Sequence, residues 1–242
     1  MRKLTFNLIS SPTPFTKVAT EGTSQAMLKI DGAYGEGGGQ VLRSSLGLSL
    51  VTGRPFTIHN IRGNRRKSGL LRQHLTAVQA ATEVGRAETV GAEMRSSELS
   101  FRPRGIRSGD YTFAIGSAGS TSLVLQTILP ALAKADAPST VNISGGTHNP
   151  AAPPFSFLTQ TLFPLLSRMG RSVQGELLRT GFYPAGGGKV SYRITPGPLK
   201  PLDLRARGEL LRRSVDAAVS QLGGSIARRE LEAVTKKLEL PK

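Results

Sequence analysis

Cysteine is missing altogether from the 242 residues, and histidine occurs only three times. The first absence excludes disulfides and thiolate metal sites, and the second leaves a zinc centre short of ligands. A thiol-free chain suits a reducing compartment, and a cytoplasmic location is expected. Long apolar runs are also missing: none approaches the ~20 residues needed to span a bilayer. No apolar signal sequence is expected, because Asn7, Ser10, Ser11, Pro12 and Pro14 interrupt the stretch that follows Met1-Arg2-Lys3. Residues 1–26 read as a disordered extension ahead of a functional start at Met27, with an amphipathic targeting peptide as the alternative. Acidic residues are scarce: 16 Asp+Glu stand against 32 Lys+Arg, a net charge of +16. Such a surface attracts polyanions, so RNA, DNA or a nucleotide is the first partner class to consider. The competing reading is a solvated basic surface without a specific ligand.

What is present is a pattern of short strands and apolar-periodic helices. "LKID" reads as a strand and is followed by a glycine-rich turn. A helix is predicted around 40–52, with Val41, Leu42, Leu46 and Leu50 on one side and Gly53 at its stop. "PFTIHNI" reads as a strand. A second helix is predicted from a Ser68 N-cap to Val84, with Leu71, Leu75, Val78 and Ala81 at helical spacing. Strands near 87–91 and 97–102 complete the unit.

The same order then recurs. "YTFAIG" and "STVNIS" read as strands, "SAGSTSLVLQTILPALAKA" as a turn and helix, "FSFLTQTLFPLLSRMG" as a second helix and "GGGKVSYRI" as the start of a closing strand. Gly38 and Gly119 hold corresponding places 81 residues apart. A period of that length indicates duplication of a β-α-β-α-β-β unit rather than a short-repeat solenoid. The expected fold is therefore α/β, in the two-layer α+β sense, with helices on one side of each sheet. The units are placed at 27–105 and 106–197, with 198–242 as a further partial domain.

Charge separates the two units. Between Gly37 and Thr82 there is no acidic residue, while Arg43, Arg54, Arg62, Arg65, Arg66, Lys67 and Arg72 supply seven basic ones. The corresponding part of the second unit is nearly uncharged. An excess of this kind on a strand-to-helix loop suits phosphate, since arginine forks match phosphate oxygens and a helix start adds amide donors. Arg62 and Arg65 carry most of that expectation and Arg43 less, whereas Arg54, Arg66 and Arg72 also read as solvated.

The turn "DGAYGEGGGQVLRSS" is neither of two familiar phosphate loops. No lysine follows to make a Walker A sequence, and Gln40 stands where a dinucleotide fingerprint needs its third glycine. Glu36 would repel a bare phosphate. It suits a divalent cation shared between a carboxylate and substrate phosphates, or else it caps the following helix and complements its dipole.

Five stretches, "DGAYGEGGGQVLRSSL", "GLLRQHLTAVQAA", "IGSAGSTSLVLQTILPAL", "SGGTHNPAAPP" and "GFYPAGGGKV", occur in this order between about Leu28 and Pro196. Together they resemble the RNA 3′-terminal phosphate cyclase family. The resemblance implies repeated β-α-β-α-β-β units, shared with enolpyruvyl transferases. It also implies an activity, the ATP-dependent conversion of an RNA 3′-phosphate to a 2′,3′-cyclic phosphate. In that family an enzyme histidine is adenylylated, AMP passes to the RNA phosphate, and the neighbouring 2′-hydroxyl displaces it. Carried onto this chain, the resemblance gives Glu36 to the Mg²⁺ or Mn²⁺ that accompanies ATP. It places Arg43, Arg62, Arg65 and Gln73, with Gln40 nearby, around the triphosphate and the RNA end. Gln126 would contact the nucleotide, and Pro153 and Phe157 would form part of the adenine pocket. Core packing is the alternative for Phe157, and a packed polar residue the alternative for Gln126.

One departure limits these expectations. In the family the nucleophilic histidine follows further repeats, whereas this sequence closes on "SIARRELEAVTKKL" and a few more residues, a stretch resembling the start of a small inserted domain. None of His59, His74 and His148 falls in the nucleophile's motif, and all three read as structural or surface residues. The chain alone is thus expected to lack adenylyl transfer, unless a complementing carboxy-terminal segment supplies it. The alternative is a non-catalytic, cyclase-like RNA-binding protein of ribosome assembly or RNA processing.

Overall fold

The computed structural model describes residues 26–239. The extension read over 1–26 therefore lies, but for Ala26, outside the described residues. Within them the chain forms two four-stranded sheets of identical topology. The first contains β1 (Leu28–Asp31), β2 (Phe56–His59), β3 (Glu88–Val90) and β4 (Leu99–Arg102), in the order β1-β2-β4-β3. The second contains β5 (Asp110–Ala114), β6 (Ser139–Gly145), β7 (Ser172–Arg179) and β8 (Gly188–Thr195), in the order β5-β6-β8-β7. In each, the first pair is parallel and the other two are antiparallel. Helix α1 (Gly39–Thr52) crosses from β1 to β2 and α3 (Thr121–Leu132) from β5 to β6, as parallel neighbours require. The repeat expected from sequence is thus a repeat of topology.

Alternation along the strands shows why each sheet has one covered face. In β5, Tyr111 and Phe113 are buried while Asp110, Thr112 and Ala114 are exposed. In β8, Val190, Tyr192 and Ile194 point inward between outward Lys189, Arg193 and Thr195. The inward faces carry the large side chains: Phe56 lies 5.7 Å from Phe101 in the first sheet. Phe163 meets Tyr192 edge-on at 5.9 Å in the second. Over these faces lie the helices, and α3 packs against both α1 and α2 (Arg72–Gly85). The two helical layers therefore face each other and share one core, with Leu42, Leu46, Val78, Ala81, Leu125 and Ile128 buried.

Local chemistry sets the helix ends. Gly53 closes α1 with φ 74°, and its amide bonds the Ser49 carbonyl at 2.8 Å. Helix α2 begins later than its sequence suggests, since its N-cap is Leu71 and not Ser68. Tertiary hydrogen bonds hold the preceding residues out of the helix: Gly69, with φ 73°, donates its N–H to the Ile61 carbonyl at 2.7 Å, and Leu70 N–H donates to that of Ser96 at 3.0 Å. Leu70 is fully buried as a result. The N-caps of α1 and α3 are Gly38 and Ser120, so Gly119 stands one residue outside the place equivalent to Gly38.

The second helix of the second sheet changes pitch along its length. It runs as α4 (Phe155–Phe157), a π-helical turn (Leu158–Leu162) and α5 (Phe163–Arg168). Pro164 lacks the N–H that an α-helix would give to the Gln160 carbonyl, and its ring crowds that carbonyl; the wider π turn accommodates both. After β8 no regular element occurs until α6 (Gly224–Lys237), which has no buried residue.

Candidate functional site

Four loops and helix starts converge where the two helical layers meet. The glycine turn after β1 delivers the start of α1, whose N-cap Gly38 has no side chain to satisfy the first amides. The basic loop after β2 lies alongside, tied down by Asn64, whose amide nitrogen donates to the carbonyls of Ala33 (2.9 Å) and Gly35 (3.2 Å). Asn64 carried no sequence signal as an anchor, because only the folded loop brings it back to a turn 31 residues earlier.

Arg43 is the centre of the arrangement. It projects from α1 one turn after the helix start and is only 8% exposed. Its Nε donates to Gln126 Oε1 at 3.2 Å and its Nη2 to Gln40 Oε1 at 2.8 Å. Among the described residues it forms no salt bridge. Burial pushes its pKa down to about 10, so the guanidinium is still charged at neutral pH. A buried cation with only neutral acceptors is costly unless an anion joins it.

Two hollows adjoin at this point. One, of about 400 Å³, is lined by Gln40, Arg43, Ser44, Gln126 and Pro130 among others. The second, of about 480 Å³, is largely apolar and has Leu125, Leu129, Leu162 and Leu166 in its walls, with Pro153 and Phe157 beside them. Gln126 and Pro130 belong to both. Pro130, inside α3, has no N–H to give to the Gln126 carbonyl one turn back. Phe157 remains 47% exposed, so it is a wall residue rather than a member of the closed core.

The remaining sequence-predicted residues sit around this centre in different states. Arg65 forms an ion pair with Glu36, and its guanidinium lies over Gly38. Arg62 turns inward: its Nη1 donates to the carbonyls of Lys67 (2.5 Å) and Gly69 (3.0 Å), and burial lowers its pKa. Gln73 accepts the Ser120 amide at 2.6 Å, which locks the α2 start to the α3 start. With Leu71, Arg72, His74 and Met94 it lines a third hollow, of about 350 Å³. Arg72 is not simply solvated, since its Nη1 donates to the Gly116 carbonyl at 2.7 Å. Arg54 and Arg66 are exposed.

His74, which read as structural or surface, is on the buried side of that alternative: it is 9% exposed and stands against Gly39 and Arg43. Burial, and then the charges of Arg62 and Arg43, push its pKa down to about 4. Its place on α2 was legible, but neither its position at N3 nor the meeting of α2 with the start of α1 was. His59 lies in β2, and His148 stacks on Phe182 at 5.3 Å with Nδ1 bonded to the Thr147 hydroxyl at 2.8 Å. Among the described residues no group of three or more His, Cys, Asp or Glu could hold a metal. No described helix is long and apolar enough to cross a membrane.

A model of the RNA 3′-terminal phosphate cyclase family matches residues 34–234. An RNA 3′-terminal phosphate cyclase of Ectopseudomonas mendocina is 55% identical over 214 residues, covering 88% of this chain and 62% of the relative. The cyclase of Koribacter versatilis is 54% identical over 215 residues, covering 88% of this chain and 61% of its own length. That of Ralstonia nicotianae is 56% identical over 213 residues, with 87% and 61% covered. The chain thus spans about 61–62% of the length of these curated relatives. With the repeated topology and the match over both sheets, the chain belongs to the RNA 3′-terminal phosphate cyclase family.

Proposed function

We propose that this chain provides the ATP- and RNA-end-binding part of a cyclase that converts an RNA 3′-phosphate to a 2′,3′-cyclic phosphate. The observation that carries the reading is Arg43, a buried cation without a carboxylate, placed with Gln40, Ser44 and Gln126 in the wall of one hollow that adjoins a second, apolar one. A nucleotide has both halves of the matching chemistry: phosphates for the cation and a purine for the apolar walls. In this reading Pro153 and Phe157 flank the adenine, Gln126 spans base side and phosphate side, and Gln40 with Arg43 meets the phosphates. Arg65, Arg62 and Gln73 face the RNA end, where guanidinium groups stabilise charge that develops on a transferring phosphorus.

Glu36 is the proposed ligand for Mg²⁺ or Mn²⁺. It is the lone carboxylate of the turn's helix-proximal end and is exposed, paired only with Arg65. A single carboxylate fits a metal that takes its other ligands from phosphates and water. Bound ATP supplies the adenylyl group that activates the terminal phosphate. The chain's own residues hold the anions in register, shield the base from water and keep the cationic groups oriented. None of His59, His74 and His148 lies in the motif in which the resemblance places the nucleophile. Adenylyl transfer is accordingly proposed to need a complementing carboxy-terminal segment, with residues 198–242 as part of an inserted domain.

The test is calorimetry of the chain with ATP and Mg²⁺, together with binding of one oligoribonucleotide ending in a 3′-phosphate or a 3′-hydroxyl. ATP binding and a preference for the 3′-phosphate are expected, with no covalent AMP on the chain alone and cyclisation once the complementing segment is added. Absence of ATP binding, together with equal affinity for both RNA ends, would replace this reading with a non-catalytic RNA-binding role.

A further inference from the structure

Beyond the residues that the sequence pattern singles out, one buried group faces the same place without an assigned task. His74 accepts the Leu71 amide on Nδ1 at 3.4 Å. An acceptor role there fixes the neutral ring in the tautomer that carries its hydrogen on Nε2. That Nε2–H has no hydrogen-bond partner among the described residues. It points at the start of α1: a Cβ on Gly39 would fall inside van der Waals contact with Nε2 and lie 2.8 Å from Arg43 Nη1. Arg43 Nη1 has no partner either, since the two bonds of that guanidinium leave from Nε and Nη2. Two side chains more than nine-tenths buried therefore aim unused donors at one glycine.

The backbone adds donors of the same kind. Helix α1 has 14 residues, no acidic residue in its first turn and no capping side chain. Its first amides point out of the helix beside Gly39, where the macrodipole favours negative charge. Gly39 is itself partly accessible, so a small anion can reach the spot from solvent.

We infer that His74 is a further phosphate-binding residue, whose Nε2–H joins Arg43 Nη1 and the first amides of α1 in closing an anion site at Gly39. The inference rests on the nucleotide and RNA-end reading above and extends it by a residue and by a mode of contact. His74 gives a neutral donor where a second cation would repel Arg43 and Arg62. Its depressed pKa keeps it in that form throughout the neutral range. The group bound is a phosphate oxygen, from either the triphosphate of ATP or the RNA 3′-phosphate.

The direct measurement is ¹H–¹⁵N NMR of the intact chain with ¹⁵N-labelled histidine, titrated with Mg²⁺–ATP in one arm and a 3′-phosphorylated oligoribonucleotide in the other. An unphosphorylated 3′-hydroxyl oligonucleotide is the control. The expected result is a downfield shift of the His74 Nε2–H in one phosphate arm, with the ring still neutral, and none in the control; the responding arm identifies the source. Calorimetry of His74→Gln and His74→Phe accompanies it. Gln can still donate and should retain most of the affinity, whereas Phe, which fills the space without a donor, should lose about ten-fold for that ligand, the usual worth of one such bond. Equal affinities for wild type and His74→Phe, or an unmoved His74 signal while the amides of α1 shift, would overturn the inference and leave the nucleotide reading standing. No binding in either phosphate arm would overturn both.

Discussion

Lowering the pH from 7 to 4 should destabilise this protein through His74, by an amount its surroundings set. Burial of the imidazole, and then the charges of Arg62 and Arg43 beside it, push its pKa from the usual 6.5 down to about 4. The unfolded chain takes up its proton first, so folding opposes protonation and stability falls as the pH falls. The contribution is complete above pH 6.5 and is spent once the pH has dropped to about 4. At about 1.36 kcal/mol per tenfold in binding, the window is worth about 3 kcal/mol, a large part of the 5–15 kcal/mol typical of a whole domain. The assay is urea unfolding followed by circular dichroism at pH 7, 6, 5 and 4, on wild type and His74→Gln. Wild type should lose about 3 kcal/mol more than the variant across that range. His148, also depressed by burial, is common to both proteins and cancels in the difference. Asp31 cancels likewise, and its pKa, lowered by hydrogen bonds from Ala33 and Asn60, places its effect at lower pH, below the usual 3.8. Parallel losses in the two proteins would refute the account of His74 as a buried neutral ring beside two cations.

Other perturbations probe the neighbouring residues. Arg43→Met should cut ATP affinity by about 10- to 100-fold, the worth of one or two charge-assisted bonds. Its unfolding free energy should stay level or rise, because the uncompensated buried cation is gone; a fall beyond about 2 kcal/mol would show that Arg43 is chiefly structural. Glu36→Gln removes an exposed ion pair with Arg65. Stability should change by less than about 1 kcal/mol, while the Mg²⁺ dependence of ATP binding measured by calorimetry should disappear. Gly39→Ala puts a methyl group against His74 and Arg43; a loss of about 1–3 kcal/mol in urea is expected, together with loss of ATP binding. Phe157→Ala should weaken ATP about ten-fold and leave inorganic pyrophosphate unaffected in competition calorimetry, since Phe157 lines only the apolar hollow.

The sequence by itself determined the repeated unit, because strand alternation and helix periodicity are local signals that survive without a partner. It also determined where the positive charge accumulates, since no fold can remove seven basic residues from a stretch without acids. Helix ends were legible where a local device sets them, as at Gly53, and not where distant bonds do, as at Leu71, whose neighbours are held by Ile61 and Ser96. Only the tertiary structure decided which of these residues come together. Packing of α3 on α1 and α2 brings Gln126 to Arg43 across 83 positions and locks Gln73 to Ser120 across 47. The same packing sorts the arginines: Arg43 buried without an acid, Arg65 paired with Glu36, Arg62 turned onto its own loop. It also turns His74 from one polar residue of an amphipathic helix into a buried neutral donor. That role depends on what lies across the helix interface, which periodicity along one chain segment does not encode.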